Sequence, residues 1–131
     1  MKILIVDDSS KNIQFVANTL VEHELSFAIS GEKALEMIHV EKFDLVLLDV
    51  IMNGIDGYTT CESLRKVEDY LNVPVIFLTA KTESEHIDKV FDVGGQDYIS
   101  KPFNTKALKS KVDTFLRLKK YDDLYGSKQT I

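Results

Sequence analysis

The sequence is poor in the features that mark several common classes of protein. Cys61 is its only cysteine, which excludes both a disulfide framework and a cysteine cluster for zinc. No apolar run approaches the roughly 20 residues that a membrane-spanning helix needs, and the first apolar run follows Met1 without a basic leader. We therefore expect a cytoplasmic protein that does not engage a membrane.

The charge balance argues against direct binding of nucleic acid. The formal net charge is −5, so the chain offers little to the phosphate backbone of DNA or RNA. Hydrophobic residues make up 44% of the 131 residues and charged residues 28%, which is typical of a folded domain with a core. The length suits one domain, and we expect a single acidic globular unit.

Short apolar runs alternate with longer amphipathic stretches along the chain. Residues 3–6, 45–48 and 75–78 are continuous apolar runs, typical of strands that are buried on both faces of a parallel sheet. Residues 26–29 and 98–99 are less apolar, which fits outer strands. Apolar residues between these runs recur at helical spacing. The alternation predicts five βα units, (βα)₅, in a three-layer α/β sandwich.

Local sequence signals predict where some of the helices begin and end. Thr82 and Glu85 have the spacing of a capping box for the fourth helix, whose apolar stripe includes Phe91. Gly94-Gly95 fits the end of that helix, and Asn104 is suited to begin the last one. We expect the domain to occupy residues 1–120.

The last eleven residues, 121–131, lose the apolar stripe and include Gly126, which predicts a helix end, a linker or a tail. Leu118, Tyr121 and Tyr125 leave open a helix that continues into a partner domain or a coiled coil. The histidines, His23, His39 and His86, have no ligand spacing to one another, and we expect them at the surface.

Polar residues follow four of the five predicted strands. Asp7 and Asp8 follow the first strand, Asp49 the third, Thr79 the fourth and Lys101 the fifth. Each alone has an ordinary explanation, such as a carboxylate at a helix N-terminus or a solvated lysine. Ligands of open parallel sheets bind beyond the carboxyl ends of the strands, where the strand order reverses. A flavodoxin-like order of 2-1-3-4-5 would bring these groups together.

Three carboxylates at one point require a cation or a proton. Two carboxylates about 4 Å apart repel by roughly 4 kcal/mol at an effective dielectric constant near 20. An all-oxygen ligand set without histidine or cysteine favours Mg²⁺, and Mn²⁺ could substitute for it. A lysine and a hydroxyl beside such a cation suit phosphoryl transfer, with a carboxylate as the nucleophile.

The chain resembles the response-regulator receiver family of two-component signalling over about residues 2–120. The resemblance is carried, in this order, by ILIVDDS, LVLLDVIMNGIDGY, VIFLTA and GGQDYISKPF. It implies that Asp49 is the phosphoacceptor. It also implies that Asp8 and Asp49 bind Mg²⁺ directly, that Asp7 acts largely through water, and that the backbone carbonyl of Ile51 completes the ligands.

The resemblance also implies a conformational switch. Thr79 is expected to bond the phosphoryl group and shift on activation, Lys101 to pair with that group, and Tyr98 to swing inward behind Thr79. For Tyr98 an edge-strand aromatic that covers the core is an equally acceptable interpretation. The Lys101-Pro102 peptide bond is expected to be cis, against roughly 5–6% of X-Pro bonds in general.

The resemblance implies a phosphoacceptor signalling module rather than an enzyme. Its expected partners are a histidine kinase or histidine phosphotransfer protein and an output domain or downstream protein, and a homodimer stays open. Asn53 stands where the family usually has proline, which predicts a looser loop after Asp49. Apolar Ile51, which with Lys81 flanks the phosphoryl site, predicts a long-lived aspartyl phosphate.

Three rival functions remain less favoured. A pseudo-receiver that acts only as a scaffold would be expected to lack part of the acidic set, the threonine or the lysine. A haloacid dehalogenase-type phosphatase would need an aspartate where Ile51 stands. A flavodoxin-like nucleotide binder would need a Gly-rich or Ser/Thr-rich phosphate loop in place of Asp7-Asp8, whose charge repels phosphate.

Overall fold

The computed structural model describes residues 1–80 and 82–125 and has the predicted three-layer architecture. Five parallel strands lie in the order β2-β1-β3-β4-β5, which confirms the predicted order. A short 3₁₀ helix, Glu68–Tyr70, precedes β4. The elements are β1 Lys2–Val6, α1 Ser10–Thr19, β2 Glu24–Ala28, α2 Gly31–Val40, β3 Leu45–Asp49, α3 Gly57–Leu64, β4 Val75–Thr79, α4 Ser84–Asp92, β5 Asp97–Ser100 and α5 Thr105–Tyr125.

The sheet divides the apolar core into two layers because successive side chains of a strand point to opposite faces. Leu4 and Val6 of β1 pack with α2, α3 and α4 on one face. Ile3 and Ile5 of the same strand pack with α1 and α5 on the other face. All five residues of β3 and of β4 are buried, as the continuous apolar runs predict.

Side chains that accept backbone hydrogen bonds fix several helix starts. Ser9 accepts from the backbone N–H of Asn12 at 3.3 Å and begins α1. Asn104 accepts from the N–H of Ala107 at 2.9 Å, directly before α5, as predicted. Such caps satisfy N–H groups that have no partner within their own helix.

Two local predictions for α4 are wrong. The helix begins at Ser84, its N-cap is Glu83, and no side chain caps it, so Thr82 and Glu85 do not form a capping box. Phe91 belongs to the predicted apolar stripe but is 50% exposed, and Val90 is the α4 residue that is buried against the sheet. The predicted end of the helix is correct, since Gly94 adopts φ +98°, a backbone conformation that favours glycine.

The last helix is longer than the apolar pattern indicates. It continues through Tyr125, and the side chains of Leu118, Tyr121 and Tyr125 are about half exposed. Residues 126–131 lie outside the described residues, so the division at residue 120 stays a prediction. None of the helices within 1–80 and 82–125 combines the length and the hydropathy that crossing a bilayer would require.

Candidate functional site

Three carboxylates meet at the carboxyl edge of the sheet. Oxygen atoms of Asp7, Asp8 and Asp49 all lie within 4.8 Å of one another. Asp7 is fully buried and Asp49 is 6% exposed, whereas Asp8 is exposed. The site therefore has two carboxylates inside the protein and a third at its mouth.

Strand order brings the carboxylates together. β1 pairs with β3 on one side and with β2 on the other, so Val6 lies beside both Leu48 and Ala28. The chain leaves β1 towards α1 on one face of the sheet, while β3 leads to α3 on the other face. The crevice between these connections is where ligands of open α/β sheets bind.

Among the described residues, Lys101 places a positive charge beside the buried carboxylates. Its Nζ lies 3.0 Å from Asp49 Oδ1 and 3.6 Å from Asp7 Oδ2. The backbone N–H of Lys101 donates to Thr79 O at 2.9 Å, which anchors the loop after β5 to the end of β4. The Lys101-Pro102 peptide bond is cis, as predicted.

Burial makes Asp49 difficult to ionise in the absence of a cation. Removal from water raises the pKa of the Asp49 carboxyl from 3.8 to about 6, and the negative charge of Asp7 adds to this rise. The hydrogen bond from Lys101 opposes the rise without cancelling it. One lysine therefore does not balance the carboxylates around it.

The hydrogen bonds of Asp7 within the described part of the chain satisfy only one of its two carboxylate oxygens. Its Oδ1 accepts the backbone N–H of Ser9 at 2.9 Å. Its Oδ2 is buried and has no hydrogen-bond partner among the described residues, although Lys101 Nζ lies 3.6 Å from it. A buried carboxylate oxygen without such a partner costs free energy that a bound cation would recover. The oxygen donors present fit Mg²⁺ in type and number.

The loop after Asp49 folds back onto the pocket. The backbone N–H of Asn53 donates to Asp8 Oδ2 at 3.2 Å. Proline, which the resemblance leads one to expect at this position, has no N–H and could not form this bond. Asparagine in place of proline at position 53 thus adds a hydrogen bond between the loop and the acidic cluster. Ile51, two residues after Asp49, is 62% exposed beside the pocket.

Gly57 is a site residue that sequence reasoning missed. It begins α3, and its backbone N–H donates to Val50 O at 2.8 Å. A side-chain carbon at this position would overlap the backbone oxygen of Asp49. The glycine itself, eight residues after Asp49, was the available signal, but only the fold shows that α3 approaches β3 this closely.

The two predicted switch residues lie on β4 and β5. Thr79 is buried at 2% exposure at the end of β4. Tyr98 is partly buried and packs against the core that holds α4, so it does cover the core. Lys111 of α5 donates to Tyr98 O at 3.0 Å, and its Nζ lies 5.4 Å from the centroid of the Tyr98 ring. The switching roles remain predictions, and Lys81 lies outside the described residues.

Comparison with known proteins identifies the family. Residues 3–113 match the family model for the response regulator receiver domain. The chain belongs to this family, a class of signalling modules in two-component systems whose members partner with histidine kinases.

Individual relatives agree with this assignment. A Vibrio cholerae protein named "Probable cyclic di-GMP phosphodiesterase" is 39% identical, over 93% of this chain and 28% of its own length. The transcriptional regulatory protein SpaR of Bacillus subtilis is 38% identical, over 99% of this chain and 58% of its own. A two-component response regulator from Clostridium difficile superposes with a TM-score of 0.83 at 34% identity, covering 89% of this chain and 96% of that one. The chain thus spans about a quarter to three fifths of these two curated relatives.

Proposed function

We propose that this receiver domain accepts a phosphoryl group on Asp49 in a Mg²⁺-dependent reaction. The observation that carries the proposal is the position of the Asp49 carboxylate, which is buried between Asp7 and the ammonium group of Lys101. A structural carboxylate in such a place would be expected to have its charge balanced. Here the excess negative charge is a cost to the metal-free fold, and it makes sense if the pocket serves a bound cation.

Asp8, Asp49 and the backbone carbonyl of Ile51 would hold Mg²⁺, with Asp7 acting largely through water. The ion, or Mn²⁺ in its place, supplies positive charge against which both the carboxylates and a phosphoryl group can be held. Phosphoryl transfer asks a protein mainly for in-line positioning and charge neutralisation. The residues of this pocket are suited to both.

In the proposed reaction an oxygen of the Asp49 carboxylate attacks the phosphorus atom of a phosphohistidine. The new P–O bond forms as the P–N bond to the imidazole breaks, and the released imidazole takes up a proton. Lys101 would move its ammonium group from the carboxylate to a phosphoryl oxygen. Thr79 would hydrogen-bond a second phosphoryl oxygen, and Tyr98 would turn inward behind it.

The proposed donor is a histidine kinase or a histidine phosphotransfer protein. The proposed readers of the phosphorylated state are an output domain joined to α5, a downstream protein, or a second copy of the chain. Residues 121–131 would then serve as a helical end, linker or tail, and the domain would act in the cytoplasm as a phosphoacceptor module rather than an enzyme.

Phosphorylation by acetyl phosphate tests the proposal. The wild-type chain should gain one phosphoryl group, measured by intact mass, in millimolar Mg²⁺ and not in EDTA. Asp49→Asn should gain none, whereas Asp122→Asn, a change at an exposed position on α5, should behave as wild type. Equal labelling of Asp49→Asn would refute the proposed acceptor. Absence of labelling in the wild type would favour the scaffold function.

The lifetime of the phosphoryl group is a second proposed property of the site. The exposed side chain of Ile51 is apolar and cannot orient a water molecule for attack on the phosphorus. We expect the wild-type phosphoprotein to persist well beyond seconds and Ile51→Asn to lose its label faster. Hydrolysis of the wild-type phosphoprotein within seconds would contradict this expectation.

A further inference from the structure

A second group of metal-ligating side chains lies at the edge of the sheet opposite to Asp49. Glu22 and His23 belong to the turn between α1 and β2, and Asp113 lies on α5. One potential ligand atom from each residue lies within 4.8 Å of the other two. These residues are not part of the phosphoryl site, and the turn and the helix are far apart in the sequence.

The prediction that all three histidines lie at the surface is wrong for His23. Its side chain is only 14% exposed, and the Nε2 atom is buried. This nitrogen has no hydrogen-bond partner among the described residues. It faces Glu22 Oε1 and Asp113 Oδ1, each at 3.7 Å, too far for a direct hydrogen bond. Leaving a buried polar nitrogen without a hydrogen bond is unfavourable for the fold.

The two distances from His23 Nε2 to the carboxylate oxygens are close to those between ligands of one transition-metal ion, and all three ligand atoms lie within 4.8 Å of one another. Zinc bonds to nitrogen and oxygen of about 2.0–2.2 Å in a tetrahedral arrangement place ligand atoms about 3.3–3.5 Å apart. The two observed separations of 3.7 Å would have to close by only a few tenths of an ångström. Asp113 and Glu22 are each more than 40% exposed, so their side chains have room for this movement.

The neighbouring lysine does not block the site. Lys109 Nζ binds Glu22 Oε2 at 3.1 Å, whereas Glu22 Oε1 is the oxygen that faces His23. The lysine therefore holds Glu22 by its outer oxygen and leaves the inner one directed at the imidazole. His23 and Asp113 also line an open cleft together with Arg117 and Lys120, and among the described residues neither of these cations forms an ion pair with Glu22 or Asp113.

We propose that Glu22, His23 and Asp113 form a second metal site, separate from the Mg²⁺ pocket and selective for a late first-row divalent ion such as Zn²⁺. An imidazole nitrogen with two carboxylates suits zinc better than Mg²⁺ or Ca²⁺, which prefer oxygen-only ligands. The three protein ligands leave a fourth position for water. The bound ion would join the α1–β2 turn to α5.

Zinc titration of the whole chain by calorimetry tests the proposal, with millimolar Mg²⁺ present to occupy the acidic pocket. We expect one zinc ion per chain and a rise in melting temperature. His23→Gln should weaken zinc binding by roughly 100-fold or more, since even outer-sphere changes commonly cost 10–100-fold. His39→Gln is the matched control, because His39 is exposed and should leave the affinity unchanged. Asp49→Asn should also retain zinc binding.

Two further measurements keep the proposal falsifiable if His23→Gln folds poorly. Asp113→Asn changes a partly exposed helix position and should lower zinc affinity in the same way. Cobalt(II) should give a visible absorption band in the wild type that His23→Gln lacks. Equal zinc affinity in wild type, His23→Gln and Asp113→Asn would overturn the proposal, and so would an affinity lost with Asp49→Asn alone.

Discussion

Two groups of charged side chains, at least partly buried, lie at opposite edges of the same sheet. They differ in how fully their charges are paired within the protein. At the edge where β4 and β5 begin, the Arg65 guanidinium donates to the carbonyls of Tyr70, Val73 and Gly94 and to Gln96 Oε1, at 2.6–3.0 Å. At the other edge, one lysine faces two buried carboxylates, and Asp7 Oδ2 has no hydrogen-bond partner among the described residues.

The difference separates a charge whose hydrogen bonds are satisfied by the fold from charges that the described residues do not balance. The donors of Arg65 are matched to neutral acceptors, so this cation ties α3 to the segments that precede β4 and β5. Within 1–80 and 82–125 no carboxylate forms an ion pair with it. Among the described residues, the acidic pocket instead keeps excess negative charge that a bound cation or a proton can neutralise. A fold retains such a site at a cost in stability, and that cost can be measured.

The largest expected effect is the loss of the arginine network. Arg65→Met should lower the free energy of unfolding by about 3 kcal/mol or more, because several partly buried acceptors lose a charged donor at once. Urea denaturation would measure the change. Lys66→Met, at the adjacent exposed position, is the control and should have little effect. Similar losses of stability in Arg65→Met and Lys66→Met would show that the hydrogen bonds of Arg65 do not contribute more than an exposed lysine does.

Removal of a charge from the acidic pocket should have the opposite effect and raise the free energy of unfolding. Without metal at neutral pH, Asp49→Asn should raise the free energy of unfolding by up to about 3 kcal/mol, because the pKa of Asp49 is about 6 instead of 3.8. The folded state binds the Asp49 proton more tightly than the unfolded state does. Stability from this group is therefore present below about pH 4 and is lost as the pH rises through 6.

Denaturation of wild type and Asp49→Asn in EDTA, from pH 4 to neutral pH, measures whether the difference in stability changes with pH in this direction. The advantage of Asp49→Asn over wild type should be near zero at pH 4, grow to pH 6 and then level off. Asp69→Asn, at an exposed position, should track the wild type at every pH. A destabilised Asp49→Asn at neutral pH would mean that pairing with Lys101 outweighs the crowding of the carboxylates.

Addition of Mg²⁺ should reverse part of this cost. At ten times its dissociation constant the ion should stabilise the wild-type domain by about 1.4 kcal/mol. Thermal melts with and without Mg²⁺ would measure the shift, which should be much smaller in Asp49→Asn. Arg65→Met, although less stable, should retain the full shift because its network lies at the other edge. No shift in the wild type would argue strongly against a functional pocket.

The smallest expected effect belongs to the carboxylate at the mouth of the pocket. Asp8 is exposed, so solvent screens its repulsion from the buried pair, and Asp8→Asn should stabilise the metal-free domain by less than about 1 kcal/mol. The same variant should weaken Mg²⁺ binding. A gain as large as that of Asp49→Asn would show that screening at the mouth is poor.

Sequence reasoning predicted the elements better than their details. Residues 45–48 and 75–78 were predicted as strands because continuous apolar runs indicate strands that are buried on both faces of a sheet. Predictions for α4 failed at Thr82 and Phe91, because helical spacing does not show how much of a helix the sheet covers. The pairing of Arg65 left no local pattern, since its acceptors are mostly backbone carbonyls, which any residue provides.

The sequence by itself determined the βα alternation and the set of polar residues at the strand ends. It did so because strand burial and site chemistry require particular side chains at particular positions. Only the tertiary structure decided the distances: that Lys101 pairs with Asp49, that Asn53 reaches Asp8, and that His23 Nε2 lies between two carboxylates. These contacts join segments distant in the chain, and their geometry depends on how the helices pack against the sheet.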